Sequence, residues 1–236
     1  MNGAWSGREL VEIAAQTLRD RDAALREEQA VFGLDAMDEV ALHPVLGAGF
    51  RGAGLGVHPE QVYAGSVEAR AARRERERCD LVLAGDPEAR LLDPVAELVE
   101  IDRASGTLFE PVAETMVPEG AVVEPGEAYW LEVKAVAQVA YVSGTPGPNR
   151  AYASQLVGGP GADIVKLARE PTIRHGGAMV ILFAQDVETG EHDIAQMFHA
   201  LLDRDLPISE TVWEGFEIED RAGNGACVVA LAGVRL

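Results

Sequence analysis

Apolar positions in the first thirty residues recur at helical spacing. Leu10, Ile13, Ala14, Thr17, Leu18 and Leu25 predict a helix over Gly7 to Ala30, with Ser6 as its N-cap. A second apolar stretch, Val40 to Phe50, predicts a short helix starting near Pro44. The following Gly47 to Gly56 segment opens with GxGxxG, the spacing of a dinucleotide-binding turn. No strand precedes it and no acidic residue follows in a strand about twenty positions on, so it reads as a flexible turn.

Strand-like runs come next. Val57 to Ala64 and Cys79 to Ala84 are short, and Gly85-Asp86-Pro87 ends the second with turn chemistry. Ala128 to Ala137, aromatic and β-branched, is the strongest strand signal in the chain. Between them, about 88–127 is rich in Pro, Gly and acids and reads as an insertion, with a hairpin over Glu97 to Ile101 and Thr107 to Val112. Asn149 to Arg169 reads as a helix interrupted near Gly158-Gly159-Pro160-Gly161. Ala178 to Ala184 is wholly apolar, as a buried central strand is. Glu191 to Arg204 is amphipathic, with Ile194, Met197, Phe198, Leu201 and Leu202 on one face. Thr211 to Ile218 and Cys227 to Val234 close the chain as strands. The expectation is a single α/β domain over 1–236, with an N-terminal helical region at about 7–50 and a mixed central sheet flanked by helices.

Composition narrows the classes. The 236 residues are 47% hydrophobic, enough for a core and too apolar for a disordered chain. No apolar run approaches a membrane span, so no membrane partner is expected. Met1 to Leu10 lacks a basic segment leading into an apolar one, so no secretory signal is expected. Cys79 and Cys227 are the only cysteines, which excludes a disulfide scaffold and a four-cysteine zinc site and suits a reducing cytoplasm. The net charge of -19 argues against coating nucleic acid by charge alone. Of 20 basic residues only Lys134 and Lys166 are lysines, so each marks a position where Arg does not obviously serve.

Against this background three charged residues stand out. Asp80 lies in one apolar strand, and Glu132 and Lys134 lie in the next strong one. Residues i and i+2 of a strand share a face, so Glu132 and Lys134 point together while Val133 points into a core. Ionisable groups on such strands carry a desolvation cost unless they pair with each other or with a metal. Two close carboxylates repel, a divalent cation relieves them, and oxygen ligands suit Mg²⁺ or Mn²⁺. A cation so held activates water and neutralises charge building on a phosphate, and an ammonium beside it adds a point charge.

Asp80 followed by Glu132-Val133-Lys134 resembles the PD-(D/E)xK nuclease superfamily, over roughly residues 57–184. The resemblance implies a restriction-endonuclease-like fold with an αβββαβ core. It implies metal-dependent hydrolysis of phosphodiester bonds, in DNA first, with Mg²⁺ or Mn²⁺ as cofactor. Asp80 and Glu132 would be metal ligands together with the backbone carbonyl of Val133, and Lys134 the catalytic lysine. Glu60 matches the upstream acid of that site, and Gln155 the polar residue supporting it from the next helix. Cys79 stands where the motif name has Pro, and the gap from Asp80 to Glu132 is long. Arg70, Arg73, Arg74, Arg76 and Arg78 precede Asp80 and form the one candidate landing site for a polyanion, against a reading as a solvated charged face. A protein partner that delivers substrate and a homodimer both stay open. The alternative function is a catalytically silent nuclease-fold protein serving as an acidic binding or structural module.

Other motifs read as structural. Lys166 and Asp163, three apart on a helix, predict a surface ion pair. His192 and His199 are seven apart, not at metal-ligand spacing, and His43, His58 and His175 have no partner at ligand spacing. Ser154 and Ser209 lack the GxSxG context of a nucleophile, and Cys79 reads as a small buried residue.

Overall fold

In a computed structural model, residues 5–63, 77–92, 121–142 and 144–236 are described. Helix α1, Gly7–Glu27, begins where the sequence places it, with the Ser6 hydroxyl accepting from the Glu9 N–H. Helix α2, Glu39–Gly52, is longer than expected. Asp38 caps it by accepting from the Ala41 N–H, so the helix starts well before Pro44 and contains that proline. The glycine-rich stretch is not a turn up to Gly52; it is the last part of α2. Gly49 lies against α1, where a Cβ would collide with the Thr17 side chain. Gly49 thus serves close helix packing, whereas a Cβ at Gly52 would meet nothing.

The sheet strands are β1 (Gly56–Val62), β2 (Arg78–Ala84), β5 (Tyr129–Ala137), β8 (His175–Ala184), β9 (Ile208–Glu217) and β10 (Ala226–Val234). They lie in the order β1-β2-β5-β8-β10-β9. Only the β5·β8 pair is parallel, so the sheet is mixed. Two short ribbons stand apart: β3 (Arg90–Leu91) with β4 (Val122–Val123), and β6 (Val139–Val142) with β7 (Thr145–Pro148). The β3·β4 pair joins the two ends of the insertion. Its expected hairpin, and all of 93–120, lie outside the described residues.

Helix α3 (Tyr152–Leu167) makes the crossover between the parallel strands, and α4 (Val187–Leu202) follows β8. The predicted interruption of α3 does not occur, although Pro160 lies within it. A Cβ at Gly161 would press on Leu201 of α4, so that glycine too is a packing device. Leu202, expected on the buried face of α4, is 48% exposed.

Period-two alternation sends side chains to two cores. Leu81, Leu83, Leu131, Val133, Met179, Ile181, Val229 and Leu231 pack with α1 and α2 on one face. Val82, Trp130, Val180, Leu182, Val228 and Ala230 pack with α3 and α4 on the other. The architecture is α/β, a six-stranded mixed sheet between helical layers, with four α-helices among the described residues. No helix among those residues is long and apolar enough to cross a membrane. Both cysteines are free and buried.

Candidate active site at a strand fork

The antiparallel ladder between β2 and β5 runs through Leu83·Tyr129, Val82·Trp130 and Leu81·Leu131, and then stops. Beyond that point the edge of β5 facing β2 still carries N–H groups that need acceptors. Two carboxylates supply them. Asp80 Oδ2 accepts from the Val133 N–H at 2.8 Å, and Glu39 Oε2 accepts from the Ala135 N–H at 3.3 Å. Asp80 comes from the same strand that diverges, and Glu39 from the first turn of α2. The fork therefore draws acids from two elements onto one strand edge.

Glu132 and Lys134 share the face toward α3, and Val133 is buried in the opposite core, as the two-residue period requires. They do not pair with each other. Lys134 Nζ lies 3.0 Å from Glu39 Oε1, 3.4 Å from Asp163 Oδ2 on α3, and 3.0 Å from its neighbour's carbonyl, Val133 O. Gly159, one turn before Asp163, makes room: a Cβ there would sit 3.3 Å from Lys134 Cδ. Glu132 is 1% exposed. Its Oε1 accepts from the Tyr63 hydroxyl and from Lys166 Nζ, the latter at 2.5 Å. Lys166 is thus not only the surface partner of Asp163, which lies 4.0 Å away; it reaches into the fork.

Electrostatics follow from this crowding. Burial, with the Asp80 charge second, pushes the Glu132 carboxyl up to about 7, against the pull of Lys166 and Tyr63. Burial raises the Asp163 carboxyl as well, with Lys134 and Lys166 opposing. For Lys134 burial acts downward, but Asp163 and Glu39 outweigh it and the net shift is upward. Lys166 is raised likewise, its pairing with Glu132 outweighing burial. Both lysines are ammonium groups at neutral pH. Burial raises the Tyr63 and Cys79 groups, so neither is an anion there.

Among the described residues one group of His, Cys, Asp or Glu donors gathers within 4.8 Å: Glu39, His43 and Asp80. His43 Nε2 is buried with no hydrogen-bond partner among the described residues. Glu39 and His43 are i and i+4 on α2, a ligand-compatible spacing that was legible but unused because the helix was expected to begin later. Glu132 stands outside that group. Glu60 does too: it is exposed, with φ 54°, and its carbonyl accepts from Arg78 at 3.2 Å. Arg78 is exposed at the start of β2, and its own carbonyl accepts from Lys166 at 3.3 Å. Arg70, Arg73, Arg74 and Arg76 lie outside the described residues. Gln155 is exposed on the first turn of α3, where its Oε1 accepts from Asn149 at 2.8 Å. It borders a cleft of about 440 Å³ shared with Glu39 and Asn149.

Comparison with known proteins supplies no analogue for this arrangement: no family model matches the sequence, and neither the curated proteins nor the solved structures contain a match.

Proposed function

We propose that the chain is a metal-dependent nuclease whose site is the β2·β5 fork. One observation carries the reading: Glu39, His43 and Asp80 converge within 4.8 Å at the point where Lys134 also ends. The donor set fits a divalent cation. Two carboxylates supply charge, and His43 Nε2, which has no hydrogen-bond partner among the described residues, is available as a nitrogen ligand. Such a mixed set suits Mn²⁺ as well as Mg²⁺. Bound there, a divalent cation supplies an activated water and charge neutralisation on a phosphate.

The chain's own residues then have separable roles. Asp80, Glu39 and His43 would hold the cation, with the buried Glu132 behind them as a further carboxylate. Lys134 remains protonated, so it acts as a fixed positive charge toward a phosphate and not as a base. The cleft bordered by Gln155 and Asn149 gives a nucleic-acid strand a path to Glu39. DNA is the first substrate to test. The arginines from Arg70 to Arg78 are the proposed landing site on an otherwise acidic chain. The order α2, β1, β2, β5, α3, β8 supports a restriction-endonuclease-like core for this reading.

A second reading has its own observation. Asp80 and Glu39 already satisfy N–H groups of β5, a structural job that a silent fold would also need. Plasmid, single-stranded DNA and RNA, each with Mg²⁺ and with Mn²⁺, separate the two. The nuclease reading expects cleavage that falls about 100-fold or more in Lys134→Ala and Asp80→Asn. Cleavage insensitive to both substitutions, or no cleavage with either metal, supports the silent module.

A further inference from the structure

The chain's two lysines are far apart in its sequence, yet both end at the fork. Lys134 ties to Glu39 and Lys166 to Glu132. Between them stands Asp163, 8% exposed, with one oxygen toward each ammonium. Among the described residues its Oδ2 has no closer partner than Lys134 Nζ at 3.4 Å. The roles proposed above leave Asp163 without one.

Lys134 holds the Glu39 carboxylate that a cation would need. A cation and an ammonium cannot both keep a close hold on Glu39 Oε1 without repelling each other. An ammonium displaced from Glu39 inside the fork would be desolvated and poorly paired, which is costly unless another anion receives it. Asp163 is already in place to do so, across the space that Gly159 leaves open.

We propose that Asp163 is a positioning residue that receives Lys134 when a divalent cation takes Glu39. This ammonium exchange rests on the proposed metal site. It makes Lys134 a competitor for the cation's place on Glu39 and Asp163 the group that relieves the competition. Lys166 keeps Glu132 throughout.

The test measures Mn²⁺ binding to the full-length chain by calorimetry, without nucleic acid. Four proteins are compared: wild type, Asp163→Asn, Lys134→Met and the double variant. Asp163→Asn is expected to weaken Mn²⁺ binding on the order of tenfold, a coupling usual for groups in one network. Lys134→Met is expected to tighten it. In the Lys134→Met background, Asp163→Asn is expected to change affinity by less than about twofold, because no ammonium needs receiving. A simple through-space charge effect predicts the same loss in both backgrounds, and that result overturns the exchange. A wild-type crystal soaked in Mn²⁺ gives a readout that needs no variant: Lys134 Nζ should lie nearer Asp163 than Glu39. Finding it still on Glu39 overturns the exchange. No Mn²⁺ binding by the wild type overturns both the exchange and the metal-dependent reading. Normal Mn²⁺ binding without cleavage of DNA or RNA overturns only the nuclease reading and leaves the affinity comparison decisive for the exchange.

Discussion

Glu132→Gln should change how stability depends on pH. Glu132 is buried, and its carboxyl is raised from 4.5 to about 7. The folded chain thus holds that proton more tightly than the unfolded chain does. The stability linked to the proton is fully present below about pH 4.5 and is lost as pH rises through about 7. A gap of that size corresponds to about 3 kcal/mol, most of which falls between pH 5 and pH 8. Gln keeps an oxygen for Tyr63 and Lys166 but has no proton to lose. Lys166 remains an ammonium over this range, so its pull on the carboxylate is already contained in the raised value and adds no separate pH dependence. Urea unfolding of both proteins at pH 5, 6.5 and 8, with EDTA present, measures the difference. The variant should gain on the wild type by about 2 to 3 kcal/mol from the lowest pH to the highest. A stability gap that stays flat within about 0.5 kcal/mol would refute the account, because Glu132 would then titrate alike in both states.

Two further outcomes test the surroundings of the fork. Tyr63→Phe removes a hydroxyl that donates to the buried Glu132, and should cost about 1–3 kcal/mol in the same urea assay at pH 8; a neutral result would mean that Lys166 alone satisfies the carboxylate. Gly177→Ala would place a Cβ 2.6 Å from Tyr129 Oη and 2.8 Å from the Ala232 backbone oxygen, so a loss of about 1–3 kcal/mol is expected, and an unchanged melting temperature would show that β8 and β10 can part at no cost.

The sheet was legible because its strands announce themselves. Tyr129–Ala137 and His175–Ala184 are apolar enough to read as interior strands, and alternation alone put Glu132 and Lys134 on one side with Val133 on the other. Ser6 and the apolar stripe of α1 were equally direct. The partners of the charged residues were not legible. Glu39 lies far upstream of Asp80 in the sequence, and only the packing of α2 beside β5 brings it to Lys134. Treating Pro44 as a helix start also pushed Asp38 and Glu39 outside the helix, which concealed the i, i+4 relation to His43. Lys166 reads as the surface partner of Asp163, three residues before it, and Gly158 to Gly161 read as a break in the helix. In the fold Gly159 and Gly161 let α3 run close to β5 and α4, and the helix carries Lys166 down to Glu132. Small residues that weaken local helix propensity were overruled by the close approach they permit.

The two outer strands, β1 and β9, also determine how copies of this molecule treat one another. An open strand edge offers unmet N–H and C=O groups to any other extended chain. On β1, Pro59 has no N–H to offer, and the left-handed backbone of Glu60 breaks the regular ladder beside it. On β9, the exposed Glu210 and Glu217 would add like charges to both sides if two such edges met. A chain of net charge -19 adds general repulsion to this local one. The most apolar strands, β8 and β10, are interior to the sheet and paired on both sides. Crowded copies therefore meet through strands poorly suited to zipper together, while the segments most able to seed a fibre are sequestered once the sheet has formed.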